Sequence, residues 1–298
     1  MSAVANQTRK AGAATFRKRS LWHDARDRFM ANRAAMISTG IMLTIVVLAI
    51  IVPIWGPHPL EEVYWDRMMI APTLENNHWF GTDVNGRDMF ARVFYGARIS
   101  LTIGVLTTLV AMTIGVTYGA VAGYAGGRIG AVMMRFVDIV YAVPALFLII
   151  VLVSVFGNNF ILVFISIGAV EWLTMARIVR GQTLSIKEKD YLEAARALGL
   201  PASAVLVRYI IPNVLGPVIV YATLLIPINI LVESYLSFLG LGVQEPFTSW
   251  GRLISQGAKE MEMAPWLLLA PAVFLTVTMF CFNFIGDGLR DALDPKDR

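Results

Sequence analysis

Six stretches of this sequence, at roughly 36–55, 99–123, 132–156, 160–180, 214–236 and 266–285, are each close to the length that crosses a bilayer and carry almost no charge. In a hydrocarbon core nothing but the chain itself can satisfy backbone N–H and C=O groups, so runs of about 20 apolar residues are helices. The expected fold class is therefore an all-α integral membrane protein with six transmembrane helices. Its composition, 57% hydrophobic and 15% charged, lies outside the range of an ordinary soluble domain.

The positive charge has a simpler cause than nucleic acid. With the first residues placed inside, 19 of the 25 Lys and Arg fall in the tail and on the inner side of the spans, and the outer segments hold the rest. That bias is the one expected of cytoplasmic loops. It predicts a multi-pass membrane protein with both termini in the cytoplasm. No signal-peptide layout precedes the first apolar run, which is expected to be retained. Cys281, the single cysteine, cannot pair within the chain and reads as a small core residue.

The boundaries that follow are a tail and juxtamembrane helix over 1–35, a first span over 36–55, and an external segment over 56–98. A five-helix core over 99–286 and a C-terminal tail over 287–298 complete the chain. Residues 1–20 are small, polar and basic, with nothing to bury. In 21–35, Leu21, Trp22, Ala25 and Phe29 share one side, with Arg26, Arg28 and Arg33 available to headgroups, an amphipathic helix on the membrane surface. In the external segment Met89, Phe90, Val93 and Phe94 repeat at helical spacing and are expected to pack on the outer ends of the spans.

Residues 190–212, DYLEAARALGLPASAVLVRYIIP, form a polar island between the fourth and fifth spans. Asp190 with Glu193 reads as a capping pair opening a helix, and Gly199 followed by Pro201 closes it. Tyr191, Leu192, Ala195 and Leu198 make one apolar stripe, suited to a partner's groove. This stretch resembles the EAA loop of permease subunits of ATP-driven (ABC) importers, on Glu193, Ala194, Ala195, Gly199 and Pro212. Tyr209 and Ile211 replace the Ile and Leu of the pattern. The resemblance implies a type I importer permease fold, in which the loop carries a coupling helix received by a separate ATPase subunit. The residues so implicated are Asp190, Tyr191, Leu192, Glu193, Ala194, Ala195, Leu198, Gly199 and Pro212.

Gly81, Thr82, Asp83, Gly86, Arg87 and Asp88, followed by Arg92 and Gly96-Ala97-Arg98, resemble the external signature of peptide-importing permeases. The piece after the fifth span and the C-terminal GDGLRDALDPKDR also resemble that subfamily. The implied assembly contains a second homologous permease, two ATPase subunits that bind ATP and Mg, and an external peptide-binding protein. No cofactor belongs to this chain itself. The implied cargo is an oligopeptide or dipeptide, with nickel complexes, glycosides and antimicrobial peptides as related alternatives.

Ionisable residues inside spans are costly and need partners or water. Asp138 is expected to pair with Arg135 one turn away, while Glu171, Asn229 and Glu233 are candidates for the translocation path, the last two sharing a face, with contacts between helices as the equal alternative for all three. Asp83 and Asn85 hint at a calcium loop, but Arg87 stands at a ligand position. His58, Glu61, Glu62 and His78 could ligate a metal, although nothing in their spacing favours this over loop solvation, and the expected metal set is none. No nucleotide-binding or hydrolase motif occurs, GYAGGRIG lacking the Lys and hydroxyl of a P-loop, so the chain is expected to be neither an ATPase nor another enzyme. An ion-coupled carrier or channel is the alternative, and it predicts an internal repeat that the sequence does not show.

Overall fold

The computed structural model describes residues 21–157 and 159–293. The 1–20 tail and residues 294–298 lie outside that set, as do the side chains of Leu21 and Trp22. The described chain is helical apart from loops, with a lone bridge between Thr82 and Asp88. Helix α1 covers Leu21–Ala31, and α2 covers Arg33–Trp55, capped by the Asn32 side chain on the Ala35 amide at 3.1 Å. Helix α3 is Met89–Ala125, α4 is Gly127–Tyr141, α5 is Ala145–Phe156 and α6 is Phe160–Lys187. The short α7, Asp190–Ala197, leads into α8, Ala202–Phe238, then α9, Trp250–Lys259, and α10, Trp266–Leu293. Five of these helices are long and apolar enough to cross a membrane, and the α4–α5 pair makes six if counted as one span.

The expected span at 132–156 is not one helix. Its halves meet at 79° around residues 142–144. Pro144 has no N–H to donate, and its ring bars the preceding residue from helical geometry, so the chain turns out (φ −55°, ψ 125°) before α5 starts. Other boundaries moved outward. The helical stretch at 89–94 and the span at 99–123 are one helix of about 55 Å, because no proline interrupts the 37 residues that follow the Asp88 cap. Helix α10 runs to Leu293, seven residues into what reads as a tail.

Helices α3 and α6 form the central pair. Gly115, Gly119 and Gly123 lie at four-residue steps along α3 and let the α6 backbone approach. A Cβ at Gly115 would lie 2.6 Å from the Met175 Cβ, one at Gly123 2.7 Å from the Thr183 Cβ, and one at Gly119 would meet the Ala176 carbonyl. At the end of α3 where the helix begins, Met89, Val93 and Ala97 bury with Met42 of α2, Trp250 of α9 and Leu267 of α10. Cys281 lies in the same cluster.

Helix α1 is not merely laid on a membrane surface. It packs on the end of α10, where a Cβ at Gly288 would meet the Ala35 Cβ at 2.5 Å and the Phe29 ring at 3.3 Å. The small residue at 288 supplies the groove that makes this contact possible. Leu43, Ile50, Val132, Phe147 and Phe280 remain exposed around the bundle, a belt of large apolar side chains that only lipid or another protein can cover.

Candidate functional site

Helix α7 hangs between α6 and α8 beyond the far end of α3 from the 56–88 loop. Its N-cap is Lys189, whose side chain makes no capping bond. Asp190 and Glu193 therefore do not form the expected capping box. They sit inside the first turn, where carboxylates favour the positive end of the helix dipole. The other end is as expected: Gly199 adopts φ +73°, its N–H donates to Arg196 O at 2.9 Å, and Leu200 N–H donates to Ala195 O at 3.2 Å. These are the two bonds of a Schellman stop.

The four-residue stripe is divided. Leu192 and Ala195 are buried, Leu192 in a cluster with Val179 of α6 and with Val205, Ile210 and Val214 of α8. An eight-residue helix has no stability of its own, so it spends one side on its own chain. What remains is a second face, Tyr191 (45% exposed), Ala194 and Leu198 (82% exposed), three residues at i, i+3 and i+7. Pro212 also has a local role. Lacking an N–H, it leaves α8 without a normal rung at that point, and the turn Leu206–Ile210 widens to a π-helix in which Ile211 N–H reaches Leu206 O.

The three path candidates do not lie together. Asn229 is wholly buried and donates through Nδ2 to Thr108 Oγ1 of α3 at 3.0 Å. Glu233 is equally buried, and its Oε1 accepts from Ser237 and from Ser249, the cap of α9, each at 2.7 Å. In this chain both join helices to each other, the alternative weighed against a place on the path. Glu171 on α6 alone is partly exposed. Nor does Asp138 pair with Arg135. Arg177 of α6 reaches it at 2.8 Å with its guanidinium 4.0 Å over the Tyr141 ring, a planar cation stacked and aimed from the neighbouring helix.

The signature at 81–88 is a structural staple. Gly81 (φ +75°) and Gly86 (φ +76°) pass so close to Ile70 O and Tyr64 O that no side chain fits. The Thr82 hydroxyl donates to Arg67 O and accepts from Ile70 N at 2.9 Å. Asp83 Oδ1 accepts from the amides of Asn85 and Arg87, both at 2.8 Å, and Oδ2 from Arg87 Nε at 2.9 Å and Arg92 at 3.0 Å. Two guanidinium groups thus occupy the oxygen that a calcium loop would need. Asp88 caps α3 by accepting from Ala91 N at 2.8 Å, and its other oxygen accepts a hydrogen bond from His78 Nδ1 at 2.8 Å.

Of the four residues weighed as metal ligands, the structure gathers only the two histidines, His58 and His78, and sets them beside Asp88, which is outside that set. The two imidazoles stack at 4.0 Å and 17°, so their lone pairs run side by side rather than converging on one ion. The His58 nitrogens meet the Tyr64 hydroxyl and Asn76 O, both at 2.9 Å. Glu62 accepts from Tyr64 at 2.7 Å, and partial burial together with that carboxylate pushes the phenol up to about 12. Glu61 lines a separate cleft of about 290 Å³ with Arg87, Arg92 and Glu245.

Two family models match the sequence. Residues 115–298 match the binding-protein-dependent transport system inner membrane component, and residues 20–72 match the N-terminal TM domain of oligopeptide transport permease C. The oligopeptide transport system permease protein OppC of Escherichia coli (strain K12) is 55% identical over 94% of this chain and 93% of its own length. That of Haemophilus influenzae is 54% identical over 94% and 90%. The dipeptide transport system permease protein DppC of Bacillus subtilis is 42% identical over 99% and 92%. With six apolar helical units and a short helix slung between two of them, this chain belongs to the family of binding-protein-dependent transport system inner membrane components and has the type I fold of ABC importer permeases.

Proposed function

We propose that the chain is one permease subunit of an ATP-driven importer that moves oligopeptides into the cytoplasm. The observation that carries this reading is the similarity to named oligopeptide permeases along nearly the whole chain. The sequence has no phosphate-binding loop, so energy enters from outside it, from two ATPase subunits holding ATP and Mg. The relatives named for oligopeptide and dipeptide transport support peptide cargo as a class, in preference to an ion-coupled carrier or channel. A second, homologous permease and an external peptide-binding protein complete the assembly. The excess of Lys and Arg supports a cytoplasmic position for both termini and for α7.

In this reading the outer face of α7, Tyr191, Ala194 and Leu198, enters a groove of the ATPase, while Leu192 and Ala195 fix the helix to the permease. Leu198→Asp puts a charge at the most exposed apolar point without touching the buried side. Uptake of a labelled peptide by membranes holding the whole complex is expected to fall about ten-fold or more, with loss of the co-purifying ATPase. Unchanged uptake and unchanged ATPase recovery would overturn the assignment of this face.

A further inference from the structure

Tyr124, in the last turn of α3, is held from two other helices. Lys187, the last residue of α6, donates through Nζ to the Tyr124 carbonyl at 2.7 Å, and its ammonium stands 5.8 Å from the ring centroid. Arg196 of α7 brings its guanidinium 5.5 Å from the same ring and donates to Lys187 O at 3.3 Å. The three residues close a loop in which each member touches both others. A cation over an aromatic face is attracted to the ring quadrupole, and Lys187 also meets the negative end of the α3 dipole.

The position of this bracket gives it a consequence. Leu192 seats α7 in a buried cluster with residues of α6 and α8, and Tyr124 packs against the edge of that same cluster. The polar reach from α7 to that turn runs through Arg196. Helix α3 in turn carries the glycine seam to α6 and, at its other end, the Asp88 cap and the Asp83–Arg92 pair. A displacement of α7 that pulled on Tyr124 would therefore move a rod connected to the opposite end of the bundle.

We infer that Tyr124 is a positioning residue that transmits movement of the 190–197 helix into α3, gripped for that purpose by Arg196 and Lys187. The inference rests on the reading of α7 as the ATPase-coupling helix. It concerns the link from that helix into the membrane, not the docking itself. Arg196 is exposed, so its loss leaves the packed core intact.

The test uses the whole complex, both permeases, ATPases and binding protein, in proteoliposomes, and reads labelled peptide imported per ATP hydrolysed. Tyr124→Leu and Arg196→Gln are each expected to lower that ratio about three- to ten-fold while the ATPase still co-purifies. Tyr124→Phe keeps the ring face and is expected to hold the ratio near wild type. The double variant Y124L/R196Q is expected to be no worse than the poorer single variant, since both break the same contact. A merely structural defect would lower hydrolysis and import together and leave the ratio unmoved.

Should Tyr124→Leu fail to assemble, Arg196→Gln carries the test alone. Wild-type ratios in Arg196→Gln, or losses that multiply in the double variant, would overturn the relay. If Leu198→Asp abolishes uptake while Arg196→Gln leaves the ratio intact, only the relay falls. If Leu198→Asp itself is silent, the coupling assignment falls.

Discussion

Asp83→Ala is expected to be among the most destabilising single substitutions in the chain, lowering the midpoint of thermal unfolding in detergent by on the order of 10 °C. Its carboxylate accepts from two loop amides and two guanidinium groups. The Arg92 side chain is only 4% exposed, so removing Asp83 leaves a buried cation whose nearest remaining acceptor is Gln256 Oε1 at 3.3 Å. Breaking a buried pair from one side costs about 3–5 kcal/mol, because the surviving charge keeps its desolvation penalty. Arg87 suffers less, since it retains Glu245 at 3.3 Å. Asp83→Asn keeps an acceptor for the amides and loses only the charge, so its midpoint should fall between the two. A midpoint for Asp83→Ala within about 2 °C of wild type would refute the view of the 81–88 signature as a staple.

Gly119→Val is expected to separate α3 from α6 and to abolish recovery of the assembled permease. The new Cβ would collide with the Ala176 carbonyl, which belongs to a helix and cannot swing aside, and would lie 2.9 Å from the Val179 Cβ. Overpacking usually costs about 1–3 kcal/mol, but here the fault sits midway along a rigid seam. Opening it also withdraws Gly115 from Met175 and Gly123 from Thr183. Between membrane helices close packing is a main source of association, with no hydrophobic force to compensate. Gly181→Val supplies the control, being on α6 where an added Cβ would meet nothing within 4 Å. The measurement is the yield of a monodisperse complex in size-exclusion chromatography. Equal yields for the two valine variants would contradict the seam.

Much of the molecule was legible without coordinates because membranes restrict the choices. Apolar runs of the right length have to be helices, and five of the six expected ones correspond to single helices in the structure. Helix α7 was also readable, since Gly199 and Pro201 are local stop signals that act through the backbone of their own turn. Pro144 was a signal of the same kind, and the break it makes between α4 and α5 could have been read from it. The spacing of Gly115, Gly119 and Gly123 was likewise visible as a small-residue repeat.

Other features depended on which elements meet. A stripe on a helical wheel does not tell which of its sides the chain keeps for itself, and Leu192 and Ala195 turned inward because α6 and α8 converge there. Asp138 pairs with Arg177, 39 residues away, in place of Arg135, and Glu233 adds Ser249, 16 residues away, to the Ser237 of its own next turn, because packing brings those distant donors within reach.

By itself the sequence determined that the chain is a membrane-spanning bundle with a capped polar helix between two spans, since helix length, caps and hydropathy act within one element. The tertiary structure alone decided which face of that helix is left exposed and what holds the other. It likewise decided that Asn229 and Glu233 bind helices together and that Tyr124 meets Lys187 and Arg196. Those outcomes depend on distances between residues far apart in the chain, and close packing sets such distances only once all the helices are in place.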